Sequence, residues 1–228
     1  MSLWDNMLAS IQGEWTDRDN FLRQKTISKT VHPNSAGTAQ KYAFKYAADE
    51  ILRPDPKYGN PILNGDYSLV TLQSTMYIRI LKDNNLLDDV DEIWDVGAGY
   101  GNLAWLLREN GYTGKYTCID FPLMHEIQQT WLEKAGITDV DFGGLDDIIP
   151  RASSLMIATH SINEMPPSDR EKIPWNYLGK VFVAHNHYID GIDNVKYFME
   201  LRKEHSDFNW TTMKSPMQQS HWHFWGTK

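Results

Sequence analysis

The sequence predicts an α/β protein with a doubly wound, mostly parallel sheet over residues 66–228, preceded by a helical extension over residues 1–65. Three observations support this prediction. From residue 92 onward, short apolar runs alternate with amphipathic segments, which is typical of repeated strand–helix units. A glycine-rich turn follows the first apolar run, and two aromatic-rich runs near the C-terminus are typical of an antiparallel hairpin.

Composition narrows the class of protein. The 228 residues suffice for one sizeable hydrophobic core and an appendage. A formal net charge of −8 provides no broad cationic field for a phosphate backbone, so we expect no nucleic-acid partner. Cys118 is the only cysteine, which excludes an intramolecular disulfide and a cysteine-based zinc site. Because we find neither a signal sequence nor an apolar run near the ~18 residues that span a bilayer, we expect a cytoplasmic protein without a membrane partner.

Two helices are predicted before the sheet. The first covers residues 41–52 and ends at a run rich in proline and glycine. The second covers residues 68–81, with Asp66 or Ser68 as its N-cap and apolar residues at helical spacing.

The elements of the sheet domain follow from the alternating pattern. Strands are predicted near residues 92–96, 115–119, 138–142, 154–159 and 180–185. Helices are predicted near residues 101–110, 122–135, 145–150, 167–176 and 192–205. The two aromatic-rich strands, near 208–213 and 221–225, are expected to close the sheet as a hairpin.

The glycine turn is the strongest functional signal. It reads Asp95-Val96-Gly97-Ala98-Gly99-Tyr100-Gly101 and joins the first strand to a helix. Glycines allow a ligand to approach the backbone, and the helix N-terminus offers free N–H groups. Dinucleotide sites prefer G-x-G-x-x-G, whereas this turn has G-x-G-x-G after an acid that can hold an ammonium. We therefore expect Asp95, Gly97, Gly99 and Gly101 to bind S-adenosylmethionine, with an NAD-dependent oxidoreductase as the less favoured alternative.

Acidic and aromatic residues follow the next two strands. Asp120 ends the second strand, where a carboxylate can accept hydrogen bonds from both ribose hydroxyls. Phe121 comes next and is expected to pack on the adenine ring. The third predicted strand ends at Asp141-Phe142, which we expect to line the adenine edge.

Through Asp95–Gly101 and Asp120 the sequence resembles the class I S-adenosylmethionine-dependent methyltransferases. Three shorter segments resemble the sugar O-methyltransferase group: Asp120-Phe121-Pro122, the run from Ser161 to Pro166, and Gly65-Asp66-Tyr67-Ser68. The resemblance implies a Rossmann-like sheet of seven strands with the last one antiparallel. It also implies a cofactor at the carboxyl ends of strands one to three and an acceptor near strands four and five. The helix before the first strand would then help to cover the cofactor, which makes Ser68 a candidate contact.

Candidate catalytic residues follow the fourth and fifth strands. Transfer of an activated methyl group requires positioning and, for a hydroxyl acceptor, removal of a proton. His160 or His185 is expected to be the base, because strand ends in open α/β sheets face the ligand crevice. Glu164 is expected to orient the acceptor. Two histidines with Glu164 or Asp190 form an alternative site for a divalent ion, but since their geometry is unknown we predict no metal.

The function predicted from these residues is methyl transfer from S-adenosylmethionine to a small-molecule acceptor, with a hydroxyl of a sugar or related metabolite as the expected group. A second hypothesis is a non-catalytic module that binds the same cofactor. The extension over residues 1–65 is a candidate for contacts between subunits.

Overall fold

The computed structural model describes residues 3–31, 45, 49–189, 191–216 and 220–228. These residues form two compact units. The first unit comprises Met1–Arg79, Gly99–Tyr112 and Phe121–Thr138, and the second comprises Ile80–Ala98, Thr113–Asp120 and Asp139–Lys228. The predicted boundary after residue 65 stays a prediction, since the units alternate along the chain. Most of the helix predicted over 41–52 lies outside the described residues.

The second unit contains a seven-stranded sheet. Its strands are β1 (Glu92–Val96), β2 (Lys115–Ile119), β3 (Asp141–Gly143), β4 (Ser154–Thr159), β5 (Lys180–Asn186), β8 (Asn209–Lys214) and β9 (His221–Thr227). Their order across the sheet is β3-β2-β1-β4-β5-β9-β8. All neighbouring strands are parallel except for the pairs that involve β9. The predicted mostly parallel sheet with an antiparallel last strand is confirmed.

The central strands are buried, although they carry some polar residues, such as Glu92 and Asp95 in β1. All five residues of β1 are buried, as expected for a strand covered on both faces. β1 pairs with β2 on one side, where Val96 faces Ile119, and with β4 on the other, where Asp95 faces Ile157. The carboxyl ends of β1, β2 and β4 therefore meet at one edge of the sheet.

The predicted hairpin is confirmed, and β9 lies between β5 and β8. Aromatic residues of both hairpin strands are buried together. The Trp210 ring stacks on Phe224 at 4.5 Å and 13°, and the Phe208 ring stacks on Trp210 at 4.6 Å. Such rings bury large apolar areas, which accounts for the stability of this end of the sheet.

Several other elements of the second unit differ from their predicted bounds. The predicted strand over 138–142 begins only at Asp141, where pairing with Thr117 of β2 starts. A single 3-10 turn, Leu145–Asp147, replaces the helix predicted over 145–150. The helix predicted over 167–176 is divided into α6 (Pro167–Arg170) and a 3-10 turn (Trp175–Tyr177), because Pro174 lacks the N–H that would continue a helix.

The remaining elements of the second unit include a small two-stranded sheet of β6 (Tyr188–Ile189) and β7 (Ile192–Asp193). The helix α7 (Asn194–Glu204) follows directly, as predicted, and Asp193 caps it by accepting a hydrogen bond from the Lys196 backbone N–H at 3.0 Å.

The first unit consists of helices. They are α1 (Leu3–Glu14), α2 (Ile27–Thr30), α3 (Leu69–Asp83, whose last turn belongs to the second unit), α4 (Asn102–Glu109) and α5 (Pro122–Lys134). The helices predicted over 68–81, 101–110 and 122–135 are confirmed as α3, α4 and α5. Glu14 caps α2, because its carboxylate accepts hydrogen bonds from the backbone N–H groups of Thr26 and Ile27. The Trp131 ring of α5 packs edge-on against Tyr100 at 4.8 Å in the core of this unit.

Among the described residues, no helix combines the length and the apolar composition that crossing a bilayer would require.

Candidate ligand-binding and catalytic site

In the second unit, backbone hydrogen bonds between neighbouring strands continue to the carboxyl edge of the sheet. The first residue beyond each of β1, β2 and β4 still donates its backbone N–H to a neighbouring strand. These bonds join Gly97 to Ile119 (2.7 Å), Asp120 to Gly143 (3.0 Å) and His160 to Ala184 (2.7 Å). Three of the predicted site residues are therefore held at one edge by strand pairing.

Asp95 is an unusual carboxylate, because it is 1% exposed near the carboxyl end of β1. The Tyr116 hydroxyl donates a hydrogen bond to its Oδ2 at 2.7 Å, whereas Oδ1 has no partner among the described residues. Burial raises the pKa of Asp95 to about 7, and the Tyr116 hydrogen bond only partly opposes this shift. A cationic group at Oδ1 would satisfy the carboxylate and favour its ionised form.

The glycines of the turn are required by its backbone. Gly97, Gly99 and Gly101 have φ values of 72°, 61° and 92°, in the left-handed region that other residues rarely adopt. At Gly97 there is a second reason. A Cβ there would lie 2.2 Å from the Cβ of Ser161, whose hydroxyl donates a hydrogen bond to the Val96 carbonyl. Gly97 thus allows Ser161 to close against the end of β1.

Gly99, Gly101 and Phe121 belong to the first unit. The Gly99 carbonyl accepts a hydrogen bond from Gln128 Nε2 at 2.9 Å, and Gly101 is the N-cap residue of α4. Phe121 is the N-cap residue of α5 and is 41% exposed, an accessible position for a stacking ring.

The residues of the second and third strands that were predicted to contact the cofactor lie in different positions. Asp120 is partly buried directly after β2, and Phe142 is partly buried within β3. Asp141 opens β3 instead of ending it, and its exposed carboxylate lies 3.7 Å from Lys115 Nζ. Because Lys115 begins β2, this ion pair lies toward the amino ends of the strands. This placement corrects the expectation that Asp141 lines the adenine edge.

Ser68 has a structural role in the first unit. It is completely buried, its hydroxyl donates to Asp55 Oδ1 at 2.8 Å, and its oxygen accepts from the Thr71 N–H at 3.1 Å. The hydroxyl of Thr71 also donates to Asp55 and accepts from Asn102 Nδ2. The expected cofactor contact is thus corrected to a helix cap within a buried polar network.

The sequence reasoning missed Asp55 and the role of Tyr100. Burial raises the pKa of Asp55 despite the hydrogen bonds from Ser68 and Thr71. Burial, and next the Asp55 carboxylate, raise the pKa of the Tyr100 hydroxyl well above its ordinary value. The Tyr100 hydroxyl hydrogen-bonds with Ser68 and Asn102 and therefore belongs to this network as a neutral phenol. No local pattern marks a lone aspartate between two prolines as buried.

His160 is held in a strained backbone conformation, with φ at 65°. Its ring lies 4.6 Å from that of His221, at an angle of 55°. Burial lowers the pKa of His160 to about 3, and the nearby imidazoles of His221, His223 and His185 add to this shift. His160 is therefore a neutral imidazole at neutral pH.

His185 is 1% exposed, and its Nδ1 lies 3.0 Å from the Asn186 carbonyl oxygen. Because a carbonyl can only accept, Nδ1 is the protonated nitrogen and Nε2 is the basic one. Burial lowers the pKa of His185 to about 4, although the Asn186 carbonyl opposes the shift. The ring packs on Phe198 at 4.4 Å.

His221 is the histidine whose placement the sequence did not reveal. The sequence pattern predicts only that the strand near 221–225 closes the sheet. His221 and His223 do lie in β9, but pairing of Asn186 with His221 brings His221 to the carboxyl edge of β4 and β5. The sequence signal for this placement was the alternation of histidines at positions 221 and 223 of the last predicted strand. It can be interpreted only when the antiparallel register with β5 is known.

Glu164 lies in a 3-10 turn (Ile162–Glu164) directly after β4 and is partly buried. Its backbone N–H donates a hydrogen bond to the Ser161 carbonyl at 2.9 Å. This bond stabilises the turn, which follows His160 directly in the chain. Within the part of the chain that the structure describes, no three His, Cys, Asp or Glu side chains form a potential metal site.

No family model and no curated protein matches this sequence. Solved structures do resemble its fold. Two crystal structures of the methyltransferase domain of bacterial CtHen1 superpose with a TM-score of 0.54 each, at 12% and 10% identity. They cover 68% of this chain and 97% and 96% of their own. A SAM-dependent methyltransferase from Aquifex aeolicus gives a TM-score of 0.49 at 15% identity, over 82% of this chain and 96% of that one.

The strand order, the antiparallel β9 and the superposition on the two CtHen1 domains define the class of fold. The chain has the Rossmann-like class I methyltransferase fold, with helices preceding its first strand.

Replacing Gly97 with alanine tests the contact between the turn and Ser161. The variant Gly97→Ala should lower the free energy of unfolding by about 2–4 kcal/mol, because left-handed strain adds to a steric clash. Gly65→Ala is the matched control: its φ is 66°, but nothing lies within 4 Å of the added Cβ, so it should lose only about 1–2 kcal/mol. Urea unfolding measures both, and equal losses would contradict the Ser161 contact.

Proposed function

We propose that this protein is an S-adenosylmethionine-dependent methyltransferase whose acceptor is a hydroxyl of a small molecule, a sugar or a related metabolite. The observation that carries the proposal is the unpartnered Oδ1 of buried Asp95 at the start of the glycine turn. In a class I methyltransferase fold this is the end of the strand before the cofactor turn. A carboxylate oxygen there has the charge and the hydrogen-bonding capacity to hold the cofactor's ammonium.

The other predicted cofactor contacts fit the same edge. Asp120 follows β2, where its carboxylate can accept from vicinal ribose hydroxyls, and Phe142 offers an aromatic face on the neighbouring strand. Gly97 is partly exposed at the start of the turn. When bound, S-adenosylmethionine supplies a methyl group activated by a sulfonium. Gly99, Gly101 and Phe121 continue the proposed set along the chain.

The residues after β4 and β5 would handle the acceptor. Neutral His185 has a basic Nε2 that can accept the proton of an acceptor hydroxyl, and neutral His160 can do the same. Glu164 is the proposed orienting group. Burial keeps both imidazoles unprotonated, which leaves their lone pairs available near neutral pH.

The lowered pKa values also favour a second candidate, a module that binds the cofactor without turnover. An imidazole with a pKa of about 3 or 4 is a weak base. If this second function is correct, the site binds S-adenosylmethionine but transfers its methyl group to no acceptor. Turnover therefore decides between the two.

Calorimetric titration with S-adenosylmethionine, adenosylhomocysteine and NAD tests the cofactor. We expect micromolar binding of the first two, and an at least roughly tenfold loss in Asp120→Ala, because each ribose hydrogen bond to a charged group contributes about 1.5–3 kcal/mol. Asp141→Ala is the matched control and should bind like the wild type. Binding of NAD alone, or of none of the three ligands, would overturn the proposal.

The proposed bases are tested by single replacements in a screen of hydroxyl-bearing acceptors. His185→Ala or His160→Ala should keep cofactor affinity and lower turnover by about 10²–10⁴-fold, the usual contribution of a general base. His187→Ala, at an exposed position beyond β5, is the control. Measured release of adenosylhomocysteine that stays unchanged in both variants would remove the assignment.

A further inference from the structure

Arg170 is a buried, positively charged residue of the second unit that has no carboxylate partner among the described residues. Its side chain is 2% exposed, and no carboxylate of the described residues lies within ion-pair distance. Its Nε and Nη2 donate to the backbone carbonyls of Met165 and Asn163, each at 3.0 Å. A buried cation is normally paired with an anion, since transfer from water is costly.

Two buried amides lie on the elements that surround this guanidinium. Asn163 and Asn194 are both 0% exposed. Among the buried amide side chains of the described residues, these two have neither the oxygen nor the nitrogen in a hydrogen bond. Leaving such groups unsatisfied costs about 1–3 kcal/mol each, so each of them requires an explanation.

Contacts of Arg170 link it to the turn that carries Asn163 and to the helix that carries Asn194. The Asn163 carbonyl is itself an acceptor for Arg170. On α7, Asn194 and Tyr197 are three residues apart and share a helix face, and the Tyr197 ring lies 4.6 Å from the Arg170 guanidinium carbon. The next residue, Phe198, packs on His185. The proposed base is therefore close to the same cluster.

We propose that Arg170, Asn163 and Asn194 bind a carboxylate on the acceptor, so that the substrate is a hydroxy acid and not a neutral molecule. A guanidinium fork and two amide N–H₂ groups match the oxygens of a carboxylate in shape and charge. The partly exposed Tyr197 ring covers the guanidinium, and its rotation would open the site to solvent. The inference rests on the proposed function in assigning the anion to the methyl acceptor.

The alternative is a purely structural role, in which Arg170 donates hydrogen bonds to two carbonyls of the turn and stacks on Tyr197. That role explains the hydrogen bonds of Nε and Nη2. It does not explain why Arg170 lacks a carboxylate partner or why the side-chain amides of Asn163 and Asn194 lack hydrogen bonds. Glu171 and Glu204 are near enough to raise the pKa of Tyr197, yet neither pairs with Arg170. The positive charge of Arg170 also helps to lower the pKa of His185, and a bound carboxylate would weaken that effect.

The test uses acetate as the probe and acetamide as its neutral counterpart, titrated into the full chain without cofactor. ¹⁵N NMR follows the Arg170 Nε–H and the side-chain N–H₂ groups of Asn163 and Asn194. We expect saturable shifts with acetate and none with acetamide at equal concentration. Arg170→Met should weaken acetate binding at least about tenfold, since a charge-assisted fork is lost. Arg202→Met, at an exposed position of α7, should have no effect.

Two further variants keep the test decisive if Arg170→Met does not fold. Arg170→Lys retains the charge without the fork, and Asn194→Ala removes one amide; each should weaken acetate binding several-fold in a protein that unfolds cooperatively. Equal responses to acetate and acetamide, an absent response, or unchanged affinity in these variants would overturn the inference. Cofactor titration is a separate measurement, so failure of the carboxylate site leaves the proposed methyltransferase function to be judged on its own.

Discussion

The buried carboxylate of Asp95 constrains the rest of the structure. A carboxyl group near the carboxyl end of β1, out of contact with water, loses hydration that a single hydrogen bond from Tyr116 does not replace. The raised pKa reflects this cost. An apolar sheet must therefore supply enough stability to hold an unfavourable group in place. A cationic ligand at Oδ1 would offset the cost, which is the basis for proposing that Asp95 binds the cofactor.

The geometry of the neighbouring residues follows from the same strand end. Gly97 must lack a side chain because Ser161 closes against it, and Ser161 in turn fixes the turn that carries Asn163 and Glu164. Strand pairing then extends one residue past β4, which holds His160 beside His221. The proposed contacts of Asp95, Asp120 and His160 thus lie at the ends of adjacent strands.

Much of this arrangement could be predicted from the sequence because it depends on local patterns. The apolar runs of β1, β2, β4 and β5 define strands, and the glycine spacing defines the turn. Asp141 was misplaced because the start of β3 depends on its pairing with Thr117, which has no local signal. The contact of His160 with His221 depends on an antiparallel register between residues far apart in the chain. Buried groups such as Arg170 and Asp55 resemble surface residues in any sequence pattern.

The central claim is that Asp95 holds the ammonium of the cofactor, and proton counting tests it most directly. Because the pKa of free Asp95 is raised to about 7, the carboxyl is mainly protonated at pH 6. An ammonium at Oδ1 favours the ionised form, so binding of S-adenosylmethionine should release about one proton at pH 6 and fewer as the pH rises through 7. Calorimetry in buffers of different ionisation enthalpy measures this number. Release that is absent in Asp95→Asn would support the account, whereas binding of the same strength without proton release in the wild type would contradict it.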